Sequence, residues 1–288
     1  GGIVAGVISD KFGRRKAFML GCFTFSTATI LTGMTDNIYT FTLWRVITGF
    51  AVLGTGAISF TYLAETISSQ DRSKWSGIVV GVGHISIPFI GFIAMEVVPM
   101  GPEAWRWLFY QGVIGYIPLV LAYFFMKESP RWLVARGRLE EAEQVVFEIT
   151  GKHVDLSEAA KNVQTKVPVM EVLTGMFRRQ YIKRTLVLLA IVVFTNPATF
   201  TVTNWTATLL KAHGFSLEDS LMATTIISVG VPAGLFFSSF VTDLGGRKIP
   251  IMCMLIILAV LGPIFGNMTG YWPVVLTGVV LTAVVMAM

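Results

Sequence analysis

Gly6-Val-Ile-Ser-Asp10-Lys-Phe-Gly13-Arg14-Arg15-Lys16 joins two apolar runs through a short charged turn, and Ser239-Phe-Val-Thr-Asp243-Leu-Gly-Gly246-Arg247-Lys248 repeats the pattern. In each copy an Asp closes an apolar run, a Gly stands three residues later, cations follow, and a new apolar run begins at once. Recurrence at this distance predicts two related halves, each turning tightly on the same side of a membrane.

Composition supports the membrane. The chain has 288 residues, 54% hydrophobic and only 14% charged, against roughly 25% charged in soluble domains. The net charge of +5 does not point to nucleic acid, because the cations lie between apolar runs rather than on one soluble face. Cys22 and Cys253 each sit inside an apolar run, which leaves no disulfide framework and no CxxC metal site.

A helix needs about 20 apolar residues to cross the hydrocarbon core. Ala17 to Thr35, Val46 to Ala64, Trp75 to Met95, Trp107 to Met126, Thr185 to Leu210 and Ser220 to Thr242 meet that length. Ile249 to Met288 is twice as long and carries the polar break Gly266-Asn-Met-Thr-Gly-Tyr-Trp-Pro273, so it reads as two spans. With the short apolar start Gly1 to Ser9, this predicts an all-α integral membrane protein of about nine spans, the first and last partial. Gly1 to Ser9 has neither the basic flank nor the cleavage site of a signal peptide, and the expectation is the interior of a longer chain.

Nineteen of the 22 lysines and arginines fall on alternate connections, with Arg106 and Lys211 on the other side and Arg45 within a span. The positive-inside rule then places both repeated turns and the 127–184 connection in the cytoplasm. The predicted organisation is an N-terminal half at 1–126, a cytoplasmic linker with short helices at 127–184, and a C-terminal half at 185–288.

Several residues stand out along this path. Arg45 lies about two turns from the outer end of its span, where an ionisable group is costly; it either snorkels to the headgroups or serves the solute or proton path. Gly49, Leu53 and Gly56 share a face suited to close helix approach. Glu65 and Arg72 fall at the inner surface beside Asp10, Arg14 and Arg15, where opposite charges can form a network that opens and closes. His84 at membrane depth could carry a proton or bond a neighbouring helix. In the linker, Leu139, Ala142, Val146 and Ile149 define an amphipathic face, and a second short helix is expected around Val167 to Phe177.

The twin Asp-x-x-Gly-Arg-Arg/Lys turns resemble the cytoplasmic signature of the major facilitator superfamily. Arg45-x-x-x-Gly49, Tyr62-x-x-Glu65 with Arg72, and Glu128-Ser-Pro-Arg131-Trp-Leu133-x-x-x-Gly137-Arg-x-x-Glu-Ala142 resemble its sugar porter and metabolite:proton symporter branch. The resemblance implies two six-helix halves rocking about a midplane site, with this chain running from late helix two into helix ten. It also implies an inner charge network of Gly6, Asp10, Gly13, Arg14, Arg15, Glu65, Arg72, Glu128 and Arg131, with Asp243, Gly246, Arg247 and Lys248 as its counterpart. The second copy departs from the pattern, since Ser239 replaces the leading Gly and Gly245 precedes Gly246.

The substrate is less determined. The run Phe194-Thr-Asn196 to Asn204-Trp205-Thr206 lacks the Gln-Gln pair of sugar porters and looks more like symporters of organic acids such as aromatic carboxylates or nicotinate. Asn196, Asn204 and Trp205 could orient a small solute or bond between helices. The leading expectation is proton-coupled symport of an organic anion in a plasma or bacterial inner membrane, by a monomer needing no cofactor beyond the proton gradient. A sugar or polyol porter is the alternative, and a nontransporting membrane protein or inactive remnant stands as a different class. No nucleophile, base and orienting group converge, which argues against an enzyme.

Overall fold

The computed structural model describes residues 1–67, 72–161, 174–175, 177–212, 214–241 and 248–287. Among them the chain is all-helical, as the apolar runs predict: α1 (Gly2–Phe12), α2 (Arg14–Gly33), α3 (Ile38–Thr66), α4 (Arg72–His84), α5 (Ser86–Val97), α6 (Trp105–Tyr110), α7 (Tyr116–Phe125), α8 (Pro130–Ala135), α9 (Leu139–Thr150), α10 (Ser157–Lys161), α11 (Ile182–Phe200), α12 (Thr206–Ala212), α13 (Leu217–Ser228), α14 (Gly230–Val241), α15 (Lys248–Asn267) and α16 (Tyr271–Ala287).

Among the described residues, five helical segments are long and apolar enough to cross a membrane: Ile38–Thr66, Lys74–Met100, Trp105–Phe125, Leu217–Ser239 and Ile249–Asn267. Two other predicted spans are also helical, α2 over 20 residues and α16 over 17. Large apolar side chains point outward, with Phe125 75% and Phe194 79% exposed, as surfaces solvated by lipid rather than water require.

Three predicted spans are interrupted, each beside a residue that disturbs the helical ladder. Pro88 lacks an N–H for the carbonyl of His84 and crowds it, and α4 ends at His84 with α5 resuming at Ser86. Between α6 and α7 the chain tightens into a 3-10 turn at Gln111–Gly115. Downstream of Pro197, inside α11, the backbone widens into a π turn at Thr201–Trp205 before α12.

The chain groups into two compact units: Gly1–Arg72 with Val97–Gln164, and Ser73–Glu96 with Thr165–Met288. Contact thus groups Ser73–Glu96 with the later helices, whereas chain order puts it in the first half.

In the first unit α2 is central. It packs against α3, α1, α6 and α7, and the approach to α3 is so close that a Cβ on Gly21 would meet the Thr55 hydroxyl. Hydroxyls within these helices mostly donate to their own carbonyls four residues back, as Thr32 does to Ala28 at 2.7 Å and Thr55 to Ala51 at 2.8 Å, which satisfies them without water. The face predicted from Gly49, Leu53 and Gly56 is not the packed one: a Cβ on Gly49 or Gly56 would meet nothing within 4 Å, and Leu53 is exposed. Gly54 makes the close approach instead, with Ala5 of α1. Below the bundle α9 buries Ala142 and Val145 against Leu133 and its neighbours; Ile149 is exposed, so the buried face is rotated from the predicted one. The helix expected at Val167 to Phe177 lies almost wholly outside the described residues.

In the second unit α14 and α13 pack on α16, and Gly234 approaches the Ala283 backbone. Helices α4 and α5 pack on the 217–241 segment, with Gly77 beside Ser239, Gly81 beside Phe236 and Gly91 beside Thr225.

Candidate functional site

The first charged turn becomes a structured joint. Ser9 and Asp10 lie in the last turn of α1, and Gly13 separates it from α2 with φ +99° and ψ 158°, a region that only glycine enters without strain. The geometry sets Arg14 at the first turn of α2, pointing back along α1. One NH1 group donates to the Ser9 carbonyl at 3.0 Å and the Asp10 carboxylate at 2.7 Å. Nε and NH2 form a fork to the two oxygens of Glu65, at 3.2 and 3.1 Å, near the end of α3. The Arg14 and Glu65 side chains are each only 11% exposed, whereas Asp10 is 63% exposed. Burial works against the Arg14 charge, but the hydrogen bonds and charges of Glu65 and Asp10 outweigh it and raise its pKa above the ordinary value.

Glu128 takes a role that its charge alone does not announce. Its Oε1 accepts from the backbone N–H groups of Arg14 at 2.6 Å, Arg15 at 3.3 Å and its neighbour Ser129 at 3.0 Å. A carboxylate from the segment after α7 therefore caps the N-terminus of α2, where unpaired N–H groups and the positive end of the helix dipole favour an anion. It occupies the space a Cβ on residue 13 would need, so Gly13 is required both for its φ and for the room it leaves. The fully buried Ser129 in turn caps α8, accepting from the Trp132 N–H at 3.3 Å.

The same segment closes the other side of the joint. Trp132 Nε1 donates to the Asp10 carbonyl at 3.0 Å, and Arg136 donates to the carbonyls of Asp10 and Lys11 at 3.1 and 2.7 Å, satisfying the C-terminal carbonyls of α1. Arg15 donates to the Tyr123 carbonyl and lies over the Tyr123 ring, 5.9 Å from its centroid. The ends of α1, α2, α3 and α7 and the start of α8 are thus tied by one ionic knot.

Of the residues singled out from sequence, Asp10, Gly13, Arg14, Arg15, Glu65 and Glu128 come together. Gly6 lies one turn earlier on α1, its carbonyl accepting from Ser9 at 3.1 Å. Arg131 is exposed and joins none of these contacts. Arg136, which the sequence reading did not single out, is the arginine of this segment that reaches α1, through the backbone carbonyls of Asp10 and Lys11. Arg72 starts α4, but its side chain is outside the described set, as are Asp243, Gly246 and Arg247 altogether and the side chains of Lys248 and Asn196.

The other candidates are dispersed. Arg45 is exposed on α3 with its guanidinium 5.7 Å from the Phe109 ring centroid, beside the edge-on cluster of Phe41, Trp105 and Phe109. His84 Nδ1 is 2.8 Å from the Val80 carbonyl of its own helix. Asn204 donates to the Phe200 carbonyl at 3.2 Å within the π turn, and Trp205 is 56% exposed. Just beyond them a cavity of about 420 Å³ is lined by Thr206, Leu210, Phe215, Phe265, Met268 and Val274 among others. Among the described residues no group of His, Cys, Asp and Glu could hold a metal ion.

Among the described residues, five long apolar helices and an ionic knot at the turn between α1 and α2 define a multi-pass membrane protein. The chain belongs to the sugar (and other) transporter family, whose pattern it matches over residues 1–288, within the major facilitator superfamily. It is 32% identical to YdjK of Escherichia coli, described as a metabolite transport protein, over 96% of this chain and 62% of that protein. It is 28% identical to the inner membrane metabolite transport protein YdjE of Escherichia coli over 98% of this chain and 64% of that protein. The xylose transporter XylE from E. coli, in a partially occluded inward-open conformation, superposes with a TM-score of 0.71 at 20% identity over all of this chain and 68% of that one. The chain therefore spans a little over three fifths of the length of the first two relatives, 62% and 64%.

Proposed function

We propose that the chain forms part of a secondary active transporter that moves a small sugar or sugar-like metabolite by alternating access, driven by a proton gradient. The observation carrying this reading is the forked Arg14–Glu65 pair, which with the Asp10 bond at 2.7 Å ties three helix ends through one guanidinium. Such a knot suits a latch: its charges are partly buried, so it holds one arrangement firmly, and no covalent or hydrophobic seam must be broken to release it. The counterpart turn at Asp243, Gly246, Arg247 and Lys248 is assigned the matching role in the second half from its sequence, and the charge asymmetry places both turns and residues 127–184 in the cytoplasm.

A sugar is preferred here to the aromatic carboxylate expected from the 194–206 run. The family match favours it, and among relatives are an arabinose-proton symporter of Bacillus subtilis, 25% identical over 85% of this chain, and a glucose transport protein of Synechocystis, 26% identical over 93%. Arg45, the cation an anionic solute would need, leans on Phe109 in an aromatic cluster, which fits an anchoring role. In this reading Trp205 offers an aromatic face to a sugar ring, and Asn196 and Asn204 offer amide groups.

Uptake by the reconstituted protein tests the proposal. Labelled arabinose or xylose should accumulate only with an inwardly directed proton gradient, and unlabelled nicotinate should not compete. Competition by nicotinate or benzoate without sugar uptake would return the substrate to the organic anions, and no gradient-driven uptake of either class would remove the transport reading.

A further inference from the structure

A second polar site lies beside the latch. A cavity of about 490 Å³ is bounded by Phe12, Arg15, Lys16, Met19 and Tyr123 on the bundle side, and by Lys127, Glu128, Trp132, Arg138, Glu141 and Glu148 on the linker side. Its acids are already engaged: Glu128 accepts from backbone N–H groups, Glu141 pairs with Arg138, and Glu148 pairs with Lys127 at 3.0 Å. Its remaining cations keep donors to spare. The Nε of Arg15 is buried yet has no hydrogen-bond partner among the described residues, and Lys16 is exposed with no ion pair among them. Buried donors are nearly always satisfied, and a cationic donor is satisfied best by an anionic oxygen. The bundle side of the cavity also carries apolar surface, with Phe12 53% and Tyr123 59% exposed beside Met19.

We propose that this cavity binds the anionic headgroup of a cytoplasmic-leaflet phospholipid, its phosphate facing Arg15 Nε and Lys16 and its acyl chains lying along Phe12, Met19 and Tyr123. A free phosphate would use the same cations but would have no use for the apolar surface, and the charge asymmetry sets the cavity at the leaflet where anionic lipid concentrates. Because Arg15 also donates to the Tyr123 carbonyl and follows Arg14 directly, a lipid held here would bear on the latch. The inference concerns binding and does not depend on the transported solute.

Native mass spectrometry of the purified protein with phosphatidylglycerol or phosphatidylcholine is the test, together with competition by inorganic phosphate. Phosphatidylglycerol should be retained over phosphatidylcholine, phosphate should not displace it, and Arg15→Gln should weaken retention roughly tenfold, as expected for a charge-assisted bond. Lys16→Gln, at an exposed position unable to upset folding, should weaken it in the same direction, while Lys152→Gln, outside the cavity, should not. Equal retention of both lipids, displacement by phosphate, or Lys16→Gln and Arg15→Gln proteins that bind like the parent would each overturn the assignment.

Discussion

The Glu128 carboxylate lies 2.6 Å from the backbone N–H of Arg14, a residue 114 positions earlier in the chain, and it fills the space in front of Gly13. The linker after α7 therefore does not merely follow the bundle; it supplies the anion that starts α2.

Gly13→Ala tests that relationship. The backbone conformation alone costs a non-glycine residue about 1–3 kcal/mol, and the new Cβ would displace the Glu128 carboxylate. The variant should melt at a lower temperature than the parent. Glu128→Ala alone should cost about 1 kcal/mol through the lost cap, and much less once Gly13→Ala has already moved the carboxylate. A coupling energy below about 0.5 kcal/mol in the double-mutant cycle would show that the two act separately.

His84→Gln should leave the pH dependence of transport unchanged. The ring is 2.8 Å from the carbonyl one turn back in its own helix, a local bond of the kind that satisfies a polar side chain within a single helix. Glutamine cannot titrate near neutrality, so a proton carrier at this position would lose its acid limb, whereas a structural residue should alter uptake by about twofold at most. Uptake measured from pH 5 to 8 in both proteins separates these outcomes.

The span positions were legible because length and hydropathy are local properties, and the joint at Asp10 to Arg15 was legible because its charges interrupt them abruptly. The partners were harder. Glu65 was found because it ends an apolar run on the same side as Arg14. Arg136 was not, because nothing local marks it as the partner of α1; only the path of the chain through α8 brings its guanidinium to the Asp10 and Lys11 carbonyls, while Arg131, equally exposed, joins none of these contacts. The face of α9 was misread by part of a turn since Ile149 is as apolar as Val145, and only contact with Leu133 decides which is buried. Gly49 and Gly56 satisfied the spacing for close packing, but spacing does not say which side a neighbour occupies.

The linker should report its docking through Glu148. The Lys127 hydrogen bond and charge hold the Glu148 carboxyl below its usual value against a smaller desolvation effect, with Gln144 adding a bond at 3.3 Å. A carboxyl depressed by folding stabilises above its unfolded value, about 4.3, and that contribution disappears as pH falls through the lowered folded value. The pair should thus be indifferent to pH between about 5 and 8 and weaken only in acid. In Lys127→Gln the Glu148 titration, followed by carboxyl carbon NMR, should move up toward the ordinary range; an unmoved titration would assign the depression to Gln144 instead.

Within the latch the two acids should not be equivalent. Asp10 is 63% exposed and meets Arg14 through one NH1 group, whereas Glu65 is 11% exposed and takes the fork from Nε and NH2. An exposed pair contributes under about 1 kcal/mol. Breaking a partly buried one by removing a single partner costs more, about 2 kcal/mol here, because the stranded guanidinium stays desolvated. If the knot holds one arrangement of the inner helix ends, Glu65→Gln should shift the population toward the released arrangement by roughly tenfold or more, and Asp10→Asn by a few-fold at most. Arg14→Lys should resemble Glu65→Gln, since an ammonium cannot span the Ser9 carbonyl, Asp10 and both oxygens of Glu65 at once. Solute affinity in the arrangement that retains the latch should stay close to the parent in all three. Spin-label distances between the inner ends of α1 and α3, read beside solute affinity, would show the ranking, and an Asp10→Asn shift equal to that of Glu65→Gln would mean that burial does not set the strength of this latch.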